Sequence, residues 1–510
     1  MAKNLIYDIH DKPKFSKMLI FALQQVLAIL AATIAVPTII GLPTQIPAAI
    51  FGAGVGTLVY QLFTRFKSPV FLGSSFAFLS SLFVGVTYGY CGILLGSVVA
   101  GLVYVVIAII IKFVGTAWVS KLMPPIIIGP TVALIGLSLA GSAMGDIVKA
   151  NVTTVYSGYN LVSLLCGLVT FFTVIICSTQ KRYTMPKLIP FILGILAGYA
   201  TASVFTVIGM VADIDYLKII NWQPIVNNFV DADGSFRGIV AIFNVPKFTL
   251  VESIKELASG SLAPEIFGAV DYLKGEEILA PDTKAALLTA GGIVEVIIAF
   301  LPVALVVFAE HIADHKNLSY IIDKDLIEDP GLDNTLLGDG VGSIAGTIFG
   351  ICPNTTYGES VGCVAITRNA SVATITTTAI MCIILSFISP IMALLQTIPS
   401  CVMGGVCLTL YGFIAVSGLK MFKDIDLNEN KNLFVVASIL IAGIGGLTIQ
   451  IPYAFAGNGA VAKTIQVTAI ATALILGIVS NAILTKVEKS KLNKEAPAQV
   501  KESKNNSEDK

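Results

Sequence analysis

Two short stretches concentrate the side chains that could do chemistry. The first is Glu310-His-Ile-Ala-Asp-His315, which holds two of the three histidines in the chain. On a helix, Glu310 and Asp314 lie four residues apart on one face, and His311 and His315 share the neighbouring face. Three chemistries fit such a set. It could be a helix end whose polar groups meet water, a reading that suits Asp314 and His315. It could bind a metal, since histidines at i and i+4 suit a shared ion, but no third ligand stands out. It could bind a polar substrate and exchange a proton with it, the reading that accounts best for Glu310. The second stretch runs from Cys352 to Arg368, is rich in Gly, Asn and Thr, and holds one carboxylate, Glu359. Ionisable groups buried among apolar segments are expensive and mark function, and Glu310 and Glu359 could face one cavity. Glu295 and Asp339 are the other carboxylates in apolar surroundings; Asp339 reads as a cap or brace. Gln24 and Gln25 suit hydrogen bonds between helices.

The elements that must hold these groups are membrane helices. Hydrophobic residues make up 55% of the 510 and charged residues 13%, against about 25% charged in soluble domains. Stretches such as 18–64, 68–111 and 369–419 contain no Asp, Glu, Lys or Arg. Each is long enough for one or two spans of about 20 residues. Fourteen spans are expected: 18–40, 46–64, 70–87, 90–112, 122–143, 159–179, 188–211, 289–309, 336–351, 357–370, 373–396, 401–419, 432–453 and 464–485. A formal net charge of zero gives no reason to expect a nucleic-acid partner. The eight cysteines lie in or beside apolar segments without a CxxC pair, as small buried hydrophobes do.

Basic residues orient the spans. With the N-terminus inside, the cytosolic pieces carry Lys12, Lys14, Lys17, Arg65, Lys67, Lys112, Lys121, Lys420, Lys423 and a Lys-rich tail. The opposite connections at 41–45, 88–89, 352–356 and 397–400 carry no Lys or Arg. Both termini are therefore expected in the cytosol. The expected divisions are an N-terminal segment (1–17), spans one to four (18–118), spans five to seven (119–211) and an extracytoplasmic insertion (212–288). Spans eight to eleven (289–398), spans twelve to fourteen (399–486) and a disordered tail (487–510) follow. A short amphipathic helix is expected near 250–259. Seven spans on each side of the insertion would give two halves of opposite orientation, the inverted repeat of secondary transporters. Spans three and ten both open on Pro and a short polar stretch, at Pro69 and Pro353. Paired discontinuous segments of this kind point to a substrate site. Their free N–H groups would favour carbonyl or anionic groups on a small ligand.

Several motifs resemble the nucleobase–ascorbate transporter family, also called nucleobase:cation symporter-2, and within it the bacterial uracil permeases. They are Leu23-Gln-Gln25, Phe71-Leu-Gly-Ser-Ser-Phe-Ala-Phe78, Ala309-Glu-His-Ile-Ala-Asp-His315, Pro353-Asn-Thr-Thr-Tyr-Gly-Glu359, and Glu359-Ser-Val-Gly-Cys-Val-Ala-Ile-Thr-Arg368. The resemblance implies an all-α polytopic membrane protein of fourteen segments in a 7+7 repeat, with short antiparallel strands in spans three and ten. A core domain (spans one to four and eight to eleven) would move against a gate domain (spans five to seven and twelve to fourteen). It implies a transporter rather than an enzyme, carrying uracil into the cell with a proton and needing no cofactor or metal. It also implies a multi-pass protein of the bacterial plasma membrane whose partners are the substrate, the bilayer and, at family level, a second copy.

By the same resemblance, Glu310 and Glu359 accept the ring N–H groups, and the backbone N–H groups of Phe76 and Gly358 meet the carbonyls. Ser75 and Tyr357 complete the substrate site. Proton coupling falls to Glu310, Asp314 or His311, with Gln25 and Ser360 in secondary positions. Three departures stand out. Ser360 replaces the signature Asn, Gln25 replaces a titratable His, and Asp314 stands where some uracil permeases have His. Glu at the first signature position favours uracil over xanthine or urate. A purine permease of the same family is the alternative, and an anion transporter or channel of the same fold is the reading from another class.

Overall fold

The computed structural model describes residues 5–149, 158–180, 186, 189–231, 233–276, 278–455 and 461–508. Most of them are helical. Among the described residues, nine helices are long and apolar enough to cross a membrane: Phe15–Ile39, Pro43–Phe63, Gly89–Val114, Pro125–Val148, Leu161–Thr179, Pro190–Ala212, Ala290–Ile322, Ser400–Lys423 and Ala469–Glu488. Phe76–Thr87, Val372–Leu385 and Asn430–Ile444 are shorter apolar helices. Proline opens several of them, as at Pro125 and Pro190, where the missing N–H costs nothing.

Small residues let these helices approach closely. A Cβ on Gly52 would lie 2.3 Å from the carbonyl oxygen of Gly346, which joins Pro43–Phe63 to the helix Leu332–Phe349. One on Gly136 would lie 2.2 Å from the carbonyl oxygen of Tyr411, which joins Pro125–Val148 to Ser400–Lys423. In lipid, where no hydrophobic force drives helices together, backbone contact of this kind supplies the dispersion that does.

Two pairs of strands interrupt the helices. β1 (Leu72–Ser74) and β2 (Asn354–Thr356) pair antiparallel, with Leu72 opposite Thr356 and Ser74 opposite Asn354. β3 (Ile449–Phe455) and β4 (Val461–Val467) form a second antiparallel pair with a shifted register near Ala454. The second pair occupies the end of the span expected over 432–453 and the start of the one expected over 464–485. The alternation in Ile449-Gln-Ile-Pro-Tyr453 is the period of a strand, although its hydropathy reads as a span.

Two further differences from expectation have local causes. The helix holding Glu310 does not end there but runs on to Ile322, because Leu318, Ile321 and Ile322 keep the apolar spacing and are buried. The span expected over 373–396 breaks into Val372–Leu385 and Ser389–Gln396. Pro390 starts the second piece, and the insertion stitches the gap: Asn244 N–H donates to Phe387 O (3.1 Å) and Ser389 N–H to Ile242 O (3.0 Å). The last helix, Ala469–Glu508, runs past the end of the span expected over 464–485.

The insertion holds the helices Gln223–Phe229, Thr249–Ser259 and Pro264–Gly275, the second of them where an amphipathic helix was expected. Six of the eight cysteines are buried and all are free thiols.

Candidate functional site

The β1–β2 ribbon is short, and its polar edges are met by side chains, as apolar surroundings require. Thr57 Oγ1 accepts the Leu72 N–H (2.9 Å) and donates to Ala53 O in its own helix (2.8 Å). Ser343 Oγ accepts the Asn354 N–H (3.0 Å), and Asn354 Nδ2 donates to Gly52 O (3.0 Å). Bonds from Ser75 N to Pro353 O (3.0 Å) and from Tyr357 N to Phe71 O (3.1 Å) close the two ends. The Tyr357 ring lies directly on Gly73, where a Cβ would come within 2.3 Å of it. Its hydroxyl donates to Ser74 O (3.0 Å) and meets Thr33 Oγ1 at 3.4 Å.

Each strand runs into a helical N-terminus, at Phe76–Phe78 after β1 and at Gly358–Thr367 after β2. Neither Ser75 nor Tyr357 caps the turn it precedes with its side chain. Glu359 lies in the first turn of the second helix. Gly358 beside it is exposed although Tyr357 and Ser360 are buried. Phe76 is buried and packs edge-on against Tyr411, with ring centroids 5.3 Å apart. Gln25 Nε2 donates to Ser360 Oγ, so the two departures from the family motif bond to each other.

The long helix Ala290–Ile322 brings the remaining groups to the same place. Glu310 is half-buried, and its Oε2 has no protein partner among the described residues. Asp314, Glu359 and Asp339 are all near enough to act on it electrostatically. Asp314 Oδ2 accepts the Thr356 hydroxyl at 2.6 Å, which ties this helix to β2. Glu310, Asp314, Tyr357, Gly358 and Glu359 thus gather around the two helix starts, with Phe76 and Ser75 across the ribbon.

The histidines behave differently from the solvated helix end. His311 Nδ1 meets Asp339 Oδ2 at 2.7 Å and its Nε2 meets Thr335 Oγ1 at 3.1 Å, with the His311 and Asp339 side chains wholly buried. His315 is also buried; its Nε2 meets Tyr60 OH at 2.7 Å and its Nδ1 the His311 carbonyl at 2.8 Å. The two rings stack with centroids 4.0 Å apart. Both nitrogens of each ring are already engaged, which leaves no lone pair poised for an ion. The bracing role read for Asp339 is met by its bond to His311. Its partner and the Thr356–Asp314 bond were not legible beforehand, since each joins residues far apart in the chain.

Residues 16–242 and 288–452 match the sequence pattern of the Permease family. The chain belongs to that family. The uracil permease of Bacillus caldolyticus is 34% identical over 482 residues, which is 94% of this chain and 94% of that protein. The uracil permease of Bacillus subtilis (strain 168) is 34% identical over 94% of this chain and 96% of its own length. That of Escherichia coli (strain K12) is 31% identical over 87% and 88%. The family resemblance carried by the motifs is borne out, and this permease is a multi-pass membrane transporter rather than an enzyme. Among solved structures, that of SLC26A9 superposes with a TM-score of 0.56 at 11% identity, covering 93% of this chain and 66% of that one. The murine Slc26a9 anion transporter gives 0.53 at 10% identity, over 94% and 69%. At such identity the likeness is one of fold.

Proposed function

We propose that this permease imports uracil together with a proton. The observation that carries the reading is the meeting of two half-helix N-termini with Glu310 and Glu359. Uracil alternates ring N–H donors with C=O acceptors. The carboxylates of Glu310 and Glu359 take the N–H groups, and the backbone N–H groups of Phe76 and Gly358 take the carbonyls. Tyr357 and Ser75 line the pocket. The names of the relatives agree with this substrate.

The proton rides on Glu310, with Asp314 beside it. Among the described residues Glu310 has an oxygen free of protein partners, whereas His311 is bonded at both nitrogens and holds Asp339 in place. Fourteen segments form two inverted halves with both termini in the cytosol. Support comes from the pairing of corresponding segments: the second with the ninth at Gly52 and Gly346, the third with the tenth in the β1–β2 ribbon, and the fifth with the twelfth at Gly136 and Tyr411. Spans one to four and eight to eleven form a core that carries the site past a gate of the remaining six.

Uptake of radiolabelled uracil, in cells lacking their own permease, tests the reading. Uptake should rise with an inward proton gradient and collapse with a protonophore. Absence of uptake in well-expressed protein would sink it, as would wild-type uptake by the Glu310→Ala, Glu359→Ala double variant. Competition by unlabelled xanthine stronger than by uracil would move the substrate to the purines.

A further inference from the structure

The helix Thr249–Ser259 is built inside out. Its buried positions are Thr249, Glu252, Ser253 and Glu256, at i, i+3, i+4 and i+7, and all are polar. Its other face exposes Leu250, Val251, Ile254 and Leu257, with Ile254 56% and Leu257 70% accessible. A helix on a water-facing surface has the reverse pattern.

The polar face is satisfied by the ends of membrane helices. Glu256 accepts the N–H of Cys91, in the first turn of Gly89–Val114, and the N–H of Ala263, both at 3.3 Å. A carboxylate there also complements the positive helix end. Thr249 Oγ1 donates to the carbonyl of Gly350, just past the end of Leu332–Phe349. The helix is thereby held against the N-terminal end of Gly89–Val114 and the C-terminal end of Leu332–Phe349.

Its apolar surface continues onto the spans themselves. Phe248, at its start, packs against Phe51 and Phe349, with centroids 4.9 and 5.5 Å apart. Phe243 stacks on Phe387 at 5.2 Å, one turn from the exposed Ile384 of Val372–Leu385. Lys255, at the flank of this face, is exposed and pairs with Glu252 (2.7 Å).

We propose that Leu250, Val251, Ile254 and Leu257 form a lipid-binding face, which lies in the acyl region of the leaflet on the insertion side. The permease would then be anchored there by an interfacial helix as well as by its spans. The proposal does not depend on the substrate.

The test uses the Ile254→Trp variant of the full chain, with the parent signal of Trp118 and Trp222 subtracted, in liposomes of phosphatidylcholine with or without brominated acyl chains. A helix seated about 5–10 Å into the interface predicts at least about a twofold fall in the emission of the introduced indole in brominated lipid and little quenching by aqueous iodide. Strong iodide quenching would show a water-facing helix and overturn the proposal. Protection from both quenchers would mean that protein, such as a second copy, covers the face, and would overturn it equally. Leu257→Trp, also at an exposed position, repeats the reading should Ile254→Trp fold poorly.

Discussion

Replacing Gly73 with alanine drives a methyl group into the face of the Tyr357 ring. The new Cβ would sit 2.3 Å from one ring carbon and 2.4 Å from the next, well inside carbon–carbon contact at about 3.5–4.0 Å. The ring cannot swing clear without cost, because its hydroxyl is hooked to Ser74 O at 3.0 Å. The ribbon is held too, because Thr57 accepts the Leu72 N–H and Asn354 is bonded to Ser343 and Gly52. Overpacking of this kind costs about 1–3 kcal/mol. If the strain is relieved by moving Tyr357, and with it the Gly358–Glu359 turn, substrate affinity falls roughly 5- to 150-fold at 1.4 kcal/mol per tenfold. If the ribbon holds, the cost appears as stability. The assay is a thermal-shift titration of the purified Gly73→Ala variant with uracil, which reads both quantities. The Gly73→Ala, Tyr357→Ala double variant completes a cycle, in which contacting residues couple by about 0.5–3 kcal/mol. Wild-type melting and wild-type affinity in Gly73→Ala would refute the reasoning. A cost that is unchanged when Tyr357 is also removed would refute it too.

Glu310→Gln should leave stability nearly unchanged, since Glu310 Oε2 has no protein partner among the described residues. It should weaken uracil binding by about 1.5–3 kcal/mol, the worth of a hydrogen bond to a charged group; binding at wild-type strength would remove Glu310 from the site. Asp339→Ala leaves a buried His311 ring nitrogen without its partner and should cost about 1–3 kcal/mol, seen as a lower melting temperature, while Asp339→Asn should cost less. Burial raises the Glu256 carboxyl above its ordinary value, opposed by N–H bonds from Ala263, Cys91 and Tyr90. A carboxyl raised in the folded state contributes stability at low pH that is lost as pH rises through its folded value. Hydrogen exchange of residues 249–263, corrected for intrinsic rates, should therefore be slower at pH 5 than at pH 7, and Glu256→Gln should flatten the difference.

Much of the candidate site is legible in the sequence because a membrane makes polarity conspicuous. Glu359 and Glu310 stand out as isolated carboxylates, and Pro69 and Pro353 mark chain that cannot be plain helix. The interior wiring was not legible. Asp314 finds Thr356 42 residues away and His311 finds Asp339 28 residues away, and no local pattern records such pairs. Asp314 and His315 suit a helix end because polar residues close an apolar run; Leu318, Ile321 and Ile322 carry the signal that the helix goes on. β3 and β4 hid for the opposite reason, since a strand of Ile, Tyr and Phe has the hydropathy of a span. The helix at 249–259 was expected from its amphipathicity, but which of its faces turns inward is set by Cys91 and Gly350, far outside it.

The β1–β2 ribbon also orders events during synthesis. Leu72–Ser74 leaves the ribosome some 280 residues ahead of its partner Asn354–Thr356. Until the second half is inserted, one edge of this strand has no mate in a solvent that offers no hydrogen bonds. The ribbon is therefore one of the last parts of the fold to be completed, and the elements on either side of it reach their final arrangement only when the second strand arrives.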